Sequence, residues 1–299
     1  MIAPNNREPR PTTLAWVAAA VGPDYRVTSC RRLAGGITSS VHAVGVTSGR
    51  DVRRLVVKRW VNEDTSESEA LLDREADLLC RLEGTGLAVP RFIARSRPEE
   101  TDGHPILVMT RVAGHVHLAP RDRSRWIGQM AATLTQIHAL DIDAPSSPRW
   151  TASADVVAPG WSKRDQLWKR ASVLMSEPAP ERTSFIHGDY QHFNVLWSRE
   201  VLTAVVDWTF GGLGHPDRDV GHCRLNLAVL FAPEWAQEFR CAYEAEAGRT
   251  VEPWWDVYEI TRYSEHWPLT IPIQVANRVH VDLEGMNDRV ERLLTTALP

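Results

Sequence analysis

The sequence predicts an α+β chain of two lobes, a β-rich N-terminal lobe with one main helix and a larger α-helical C-terminal lobe. Three observations carry that expectation. Apolar residues from Arg26 to Arg59 fall in short strand-like runs broken by Gly35-Gly36 and by Ser48-Gly49. The pattern switches to helical period from Glu67 to Glu83, and after Gly114 strand-like runs give way to long amphipathic stretches. At 299 residues the chain is long enough for one large domain or two modest ones, divided here as 1–112 and 113–299. Two bodies joined in this way leave a cleft, where ligands tend to bind.

In chain order, residues 14–21 (LAWVAAAV) form a short helix and GPDY turns the chain. VTSCRRL, SVHAVGV and RRLVVKRW then read as three consecutive antiparallel strands. Leu71, Leu72, Ala76, Leu79, Cys80 and Leu82 make the apolar stripe of the following helix, and VPRFIA and PILVMTRV are two further strands. Arg123 to Leu140 is an amphipathic helix with Trp126, Ile127, Met130, Leu134, Ile137 and His138 on its apolar face, where His138 reads as a satisfied core residue. Residues 141–162, rich in Pro, Ser and Ala, connect it to another helix over 163–175; beyond the dense stretch 184–222 the remainder reads as helical.

Composition excludes several classes. Hydrophobic residues at 43% and charged residues at 24% are those of an ordinary globular protein, neither disordered nor collagen-like. The net charge of −4 hides a basic head: residues 1–60 hold ten Lys+Arg against three Asp+Glu. That is too little positive charge for a general nucleic-acid binder. No apolar run is long enough to span a bilayer, and the polar, proline-bearing start does not read as a secretory signal. Cys30, Cys80, Cys223 and Cys241 are scattered without a CxxC pair, so the expected setting is reducing and cytoplasmic. Only Lys58, Lys163 and Lys169 are lysine, against 31 arginines, which draws attention to each lysine.

The densest chemistry lies in FIHGDYQHFNVLWSREVLTAVVD, residues 185–207. Two short apolar runs around SRE read as a β-hairpin whose constant index sum sets Asn194 opposite Asp207 at its open end. With the His187-Gly188-Asp189 loop just before, three oxygen-bearing side chains converge. A hard cation such as Mg²⁺ takes oxygen ligands and needs only one or two from the protein when phosphates supply others. Asn194 and Asp207 suit that task, and Asp189 can face a hydroxyl as base. Lys58, in an apolar strand, can pair with Glu75 on the next helix and so be held where it reaches a phosphate. Gly35 and Gly36 allow close backbone approach to phosphate, and Ser39 and Ser40 offer hydroxyl donors.

HGDYQHFN resembles the HGDxxxxN catalytic loop of the aminoglycoside phosphotransferase family, the small-molecule branch of the protein-kinase-like fold. VVDWTFGGLGHPDRDVGH is similar to its metal-binding segment, and GGITSSV, Lys58 in its strand, Glu75 in READLL and VMTRVAG follow in the same order over nearly the whole chain. QHF before Asn194 departs from the more frequent HPG, and the fuller GxGxxG spacing is missing. The resemblance implies a nucleotide-binding N-terminal lobe, a catalytic and substrate-binding C-terminal lobe, and transfer of a γ-phosphate from ATP or GTP with Mg²⁺ to a hydroxyl of a small molecule. It implies Asp189 as catalytic base, Asn194 and Asp207 as metal ligands, and Lys58 on the α- and β-phosphates, set by Glu75. It further implies Met109 guarding the adenine pocket, the backbone of Thr110 and Val112 bonding the purine edge, Asp219 supporting the catalytic loop and His187 orienting it.

The resemblance also sets the acceptor site among the C-terminal helices. Residues 251–299 carry Glu252, Asp256, Glu259, Glu265, Asp282, Glu284, Asp288 and Glu291 against four arginines, which points to a cationic acceptor such as an aminoglycoside, with antibiotic resistance as one purpose, or another amino-alcohol. Trp254, Trp255, Tyr258, Tyr263 and Trp267 could add aromatic faces, though adjacent Trp254 and Trp255 cannot both face one pocket. Two rival readings remain at this level. His187, Asp189, His192, Asp207 and His215 could ligate a transition metal in a hydrolase, or the chain could bind nucleotide without transferring phosphate.

Overall fold

The computed structural model describes residues 8–37, 39–60, 65–148, 156–264 and 266–298. The N-terminal body is a five-stranded antiparallel sheet in the order β1-β2-β3-β5-β4, built from β1 (Arg26–Arg32), β2 (Ser39–Ser48), β3 (Asp51–Trp60), β4 (Phe92–Ser96) and β5 (Ile106–Thr110). Helix α1 (Pro11–Val21) starts three residues earlier than the apolar run suggests, because Pro11 occupies a first-turn position whose missing N–H costs nothing. Helix α2 (Thr65–Leu82) lies between β3 and β4 in sequence.

Strand alternation divides the sheet into two faces. Val44, Val46, Leu55, Val57, Ile106 and Val108 pack with Val17 of α1 in an outer cluster. Leu107, Met109 and Trp60 face inward and join Leu72, Ala76 and Leu79 of α2 in the main core, which continues through the second body. Lys58 stands opposite Val41 and Leu107, so it belongs to the inner face.

The second body holds α3 (Arg123–His138), α4 (Asp165–Met175), α5 (Pro216–Leu230), α6 (Pro233–Ala247), α7 (Pro253–Thr261), α8 (Trp267–Val275) and α9 (Met286–Ala297). Two small two-stranded sheets lie before α5: β6 (Ser184–Ile186) with β9 (Gly212–Gly214), and β7 (Val195–Ser198) with β8 (Val201–Val205). Every residue of α5 is buried, its charged ones included, which makes it the central post of this body. Among the described residues no helix is long and apolar enough to cross a membrane.

The β7–β8 hairpin corrects the expected register. Arg199 and Glu200 take φ of 50° and 63°, the two-residue turn whose twist suits a hairpin. Ser198 pairs with Val201, but the ladder shifts between Leu196 and Trp197 and then sets Val195 opposite Val205. Asn194 therefore faces Val206, whose N–H donates to its carbonyl at 2.9 Å, and Asp207 lies one residue further on with φ of 66°. The position of the turn is the cause: centred between Arg199 and Glu200, it would by itself set Asn194 opposite Val205, and the extra residue at Thr203 recovers one of those two positions.

Candidate active site

Lys58 is 5% exposed at the inner face of β3 and uses all three ammonium hydrogens within the protein. It donates to Glu75 Oε2 at 2.7 Å, to Asp207 Oδ1 at 2.7 Å and to Thr209 Oγ1 at 2.8 Å, and its Nζ lies 4.7 Å from the centre of the Trp60 ring. Glu75 reaches it from α2, while Asp207 and Thr209 come from the second body, so one ammonium ties the two bodies together. The Thr209 hydroxyl lies 2.9 Å from both Glu75 Oε2 and Asp207 Oδ1 and gives its single proton to one of them. Burial opposes charge on Lys58, yet the Asp207 and Glu75 carboxylates outweigh it and hold the ammonium above its usual range. Burial pushes Glu75 up, against the pull of Lys58, whereas for Asp207 the Lys58 ammonium outweighs burial and holds the carboxyl down.

Asp189 sits on the loop between β6 and β7. That loop hangs from Asp219 of α5, whose carboxylate accepts from His187 N at 2.7 Å and from Gly188 N at 2.8 Å. Asp219 is fully buried and is also met by His138 Nε2 at 3.3 Å. His138, whose Nδ1 lies 2.7 Å from the Tyr243 hydroxyl, is thus more than a core residue: it helps hold the loop's anchor. Gly188 has φ of +79°, and a Cβ there would lie 2.0 Å from the Phe210 carbonyl oxygen, so only glycine fits. Tyr190 pins the far side by donating to the Met130 carbonyl at 2.8 Å.

The Asp189 carboxylate receives three donors. Asn194 Nδ2 lies 2.9 Å from Oδ2, Gln191 Nε2 2.8 Å from Oδ1 and His222 Nε2 2.7 Å from Oδ1. Asn194 also donates to the Asp189 carbonyl at 2.8 Å, which leaves its Oδ1 without a protein partner among the described residues. Oδ2 of Asp207 is likewise unengaged, and that side chain is 40% exposed. An amide oxygen and a carboxylate oxygen presented in this way are the donor types that Mg²⁺ takes.

On the nucleotide side, Met109 is buried in β5 between Val56 and Phe92. Thr110 N–H is already given to the Arg91 carbonyl at 2.9 Å, so Thr110 has no amide hydrogen to offer a ligand, while Val112 N–H makes no bond among the described residues. Gly35 has φ of 111°, and a Cβ on Gly36 would come within 2.5 Å of the Ser39 carbonyl oxygen, so the turn needs both glycines. Ser39 shares the inner face with Lys58. Ser40 does not: alternation turns it to the outer face, its hydroxyl 3.4 Å from His42 Nδ1, so the expected hydroxyl donor points away from the cleft.

The transition-metal reading is corrected here. Among the described residues no group of three His, Cys, Asp or Glu side chains is arranged to hold a metal ion. His187 Nε2 lies 3.0 Å from the Val206 carbonyl and its Nδ1 accepts from Asp189 N at 3.2 Å, which occupies both nitrogens. His192 is buried against Phe193 and Phe231, where burial drives its imidazole down to about 3. His215 accepts from Asp217 N at 3.2 Å and caps α5.

The acidic tail segment also differs from its sequence-level reading. Asp256 is ion-paired with Arg224, Glu259 with Arg218 and Arg262, Asp282 with Arg289, and Glu291 with Arg164. Arg224, Arg218 and Arg164 come from outside the segment, so a charge count within it overstates the acid. Glu252 and Glu284 are exposed, and Asp288 lies 4.0 Å from Arg164. Glu265 falls outside the described residues. Trp255 is buried against His215, while half-buried Trp254 stacks on Tyr258 and donates to the Glu177 carbonyl at 3.2 Å. His222, Thr209 and Gln191 are site residues to which the sequence reading gives no role.

The sequence pattern of the Phosphotransferase enzyme family matches residues 29–255. The chain belongs to this family. A thermostable mutant of aminoglycoside phosphotransferase APH(4)-Ia, solved in ternary complex with ADP and hygromycin B, superposes with a TM-score of 0.63 at 14% identity, covering 95% of this chain and 98% of that one. Macrolide 2'-phosphotransferase from Brachybacterium faecium does so with a TM-score of 0.57 at 19% identity, covering 95% and 97%. At such identities the likeness shows the shared protein-kinase-like fold. Acyl-CoA dehydrogenase family member 10 of Mus musculus is 24% identical over 192 residues, which are 57% of this chain and 18% of that protein. The chain thus spans less than a fifth of that relative.

Proposed function

We propose that the chain transfers the γ-phosphoryl group of ATP, or GTP, to a hydroxyl of a small molecule in a Mg²⁺-dependent reaction. The observation that carries this reading is the Lys58 ammonium bridging Glu75 and Asp207 at 2.7 Å each, beside a three-donor carboxylate at Asp189. Residues 1–112 form the nucleotide-binding lobe and 113–299 the catalytic and substrate-binding lobe. The turn at Gly35 and Gly36, with Ser39 and the backbone of Ser40, covers the phosphates. Met109 borders the base, which meets the Thr110 carbonyl and the Val112 N–H.

Phosphoryl transfer asks the protein for position and charge neutralisation more than for covalent help. Lys58, with no spare hydrogen, exchanges one internal contact for a phosphate oxygen, and Asp207 is its most exposed partner. Asn194 Oδ1 and Asp207 Oδ2 would hold the metal, which would supply positive charge to offset the negative charge of the phosphates. Asp189 orients the acceptor hydroxyl and takes its proton as the oxygen bonds to phosphorus and the bond to the leaving diphosphate breaks.

The acceptor is a hydroxyl compound. A preference for cationic amino sugars has no support from the tail carboxylates, since most of them are ion-paired. The scattered cysteines favour a reducing compartment such as the cytoplasm. A panel of aminoglycosides, amino-alcohols, neutral polyols and hydroxy acids, read by ADP release and by ³¹P detection of the product, tests the reading. It predicts acceptor-dependent ADP release with a phosphate ester formed. Nucleotide binding without transfer to any member would favour the silent module instead, and an antibiotic among the acceptors would indicate a resistance role.

A further inference from the structure

We propose that His222, backed by Glu259, is a positioning residue for Asp189, a cationic imidazole that fixes the carboxylate with Oδ2 turned to the acceptor. The inference rests on the phosphotransferase reading and deepens it. His222 lies on α5 and is 8% exposed. Its Nε2 meets Asp189 Oδ1 at 2.7 Å, and its Nδ1 meets Glu259 Oε2 on α7 at 3.1 Å. A carboxylate oxygen only accepts, so an imidazole held between two carboxylates carries a proton on each nitrogen and a positive charge.

The surroundings agree. Glu259 is fully buried; Arg262 shares Oε2 with His222 and Arg218 Nε stands 3.6 Å from Oε1, so its negative charge is held in place. Against this, Asn226 Nδ2, one turn along α5, donates to the His222 carbonyl at 3.0 Å and lies 3.1 Å from Nε2, where as a donor it opposes a proton; the two carboxylates outweigh it. His192, kept neutral by burial, also stands near it. Burial opposes charge on His222, yet the bonds to Asp189 and Glu259 lift the imidazole to about 9.

Of the three donors on Asp189, Gln191 and Asn194 belong to its own loop, and Asn194 also faces the metal position. His222 alone stands on a buried helix outside the loop. It therefore fixes Oδ1 against the body of the second lobe, which leaves Oδ2 as the proton-accepting oxygen once Asn194 engages metal. Already doubly protonated, His222 cannot itself accept the hydroxyl proton, so it acts through Asp189.

The test uses the full chain, His222→Gln and Glu259→Gln. His222→Gln keeps bulk and one donor but loses the charge, and should lower kcat about 10- to 100-fold, the scale of a misplaced catalytic group, with the nucleotide KM unchanged. Glu259→Gln should do the same more mildly. In His222→Ala, added imidazole should restore part of kcat without changing KM. Independently of turnover, ¹⁵N spectra of the histidines should show one imidazole doubly protonated at pH 7.5, and Asp189→Asn or Glu259→Gln should lower its titration midpoint. A neutral His222 at that pH, or variants that lose melting temperature and nucleotide binding while kcat per folded molecule stays at the wild-type value, would overturn the proposal. Wild-type protein that transfers phosphate to no acceptor would instead sink the phosphotransferase reading, while the spectra still report whether the carboxylate clamp is cationic.

Discussion

Asp189→Asn is expected to lower kcat by roughly 10²- to 10⁴-fold, the range that a positioned general base contributes, with nucleotide affinity little changed. The substitution preserves shape but removes the oxygen that takes the hydroxyl proton. It also creates a local conflict, because Asn194, Gln191 and His222 all donate to this side chain and an amide nitrogen must now face one of them. A modest loss of stability should accompany the catalytic loss. In the proposed reading the nucleotide is held by Lys58, the glycine turn and β5, none of which touches Asp189, so binding measured by calorimetry should be near wild type. Equal losses of kcat and nucleotide affinity would contradict the assigned role.

Lys58→Met should behave differently, because its largest effect falls on the folded state as well as on the site. The ammonium is the shared partner of Glu75, Asp207 and Thr209, and removing one member of a buried ion pair costs about 3–5 kcal/mol, since the remaining charge is left without compensation. Asp207, at 40% exposed, can be partly rescued by water, but Glu75 at 1% cannot. The variant is therefore expected to melt at a clearly lower temperature and to lose productive nucleotide binding. Adding Glu75→Gln should recover part of the stability, because it removes the stranded carboxylate, without recovering activity. If Lys58→Met melted like wild type, the bridge between the lobes described here would not exist in solution.

The outline of both the fold and the site was legible because its signals are local. Strand runs separated by glycine pairs, helical stripes, and a lysine in an apolar strand of an arginine-rich chain each need only neighbouring residues to be read. Lys58 and Glu75, seventeen positions apart, were paired correctly on that basis. What was not legible needed tertiary information. The hairpin turns at Arg199-Glu200, earlier than the polar run suggests, and the bulge at Thr203 makes up only part of the difference, so Asp207 lies one position beyond the residue opposite Asn194. Ser39 and Ser40 are adjacent in one strand, so only one could share a face with Lys58, and the register decided which. Several tail acids looked unpaired because Arg164, just before α4, and Arg218 and Arg224 on α5 stand outside the segment.

His222 was the main omission, and a signal for it existed. Asp219 and His222 are three apart on one helix and so share a face. Once Asp219 was assigned to hold the His187–Asp189 loop, the residue one turn on was bound to approach the same loop. The partner that makes the imidazole cationic, Glu259 on α7, could not be foreseen from spacing, since thirty-seven positions separate them.

The most direct measurement is the calorimetric affinity of a non-hydrolysable ATP analogue with and without Mg²⁺, for wild type and Asp207→Asn. If the inter-lobe cleft gathers Lys58, Asn194 and Asp207 around a nucleotide's phosphates, Mg²⁺ should tighten wild-type binding about tenfold or more, equivalent to roughly 1.4 kcal/mol, and should barely affect the variant. Binding that ignores Mg²⁺ in wild type, or a Mg²⁺ effect that survives in Asp207→Asn, would contradict it.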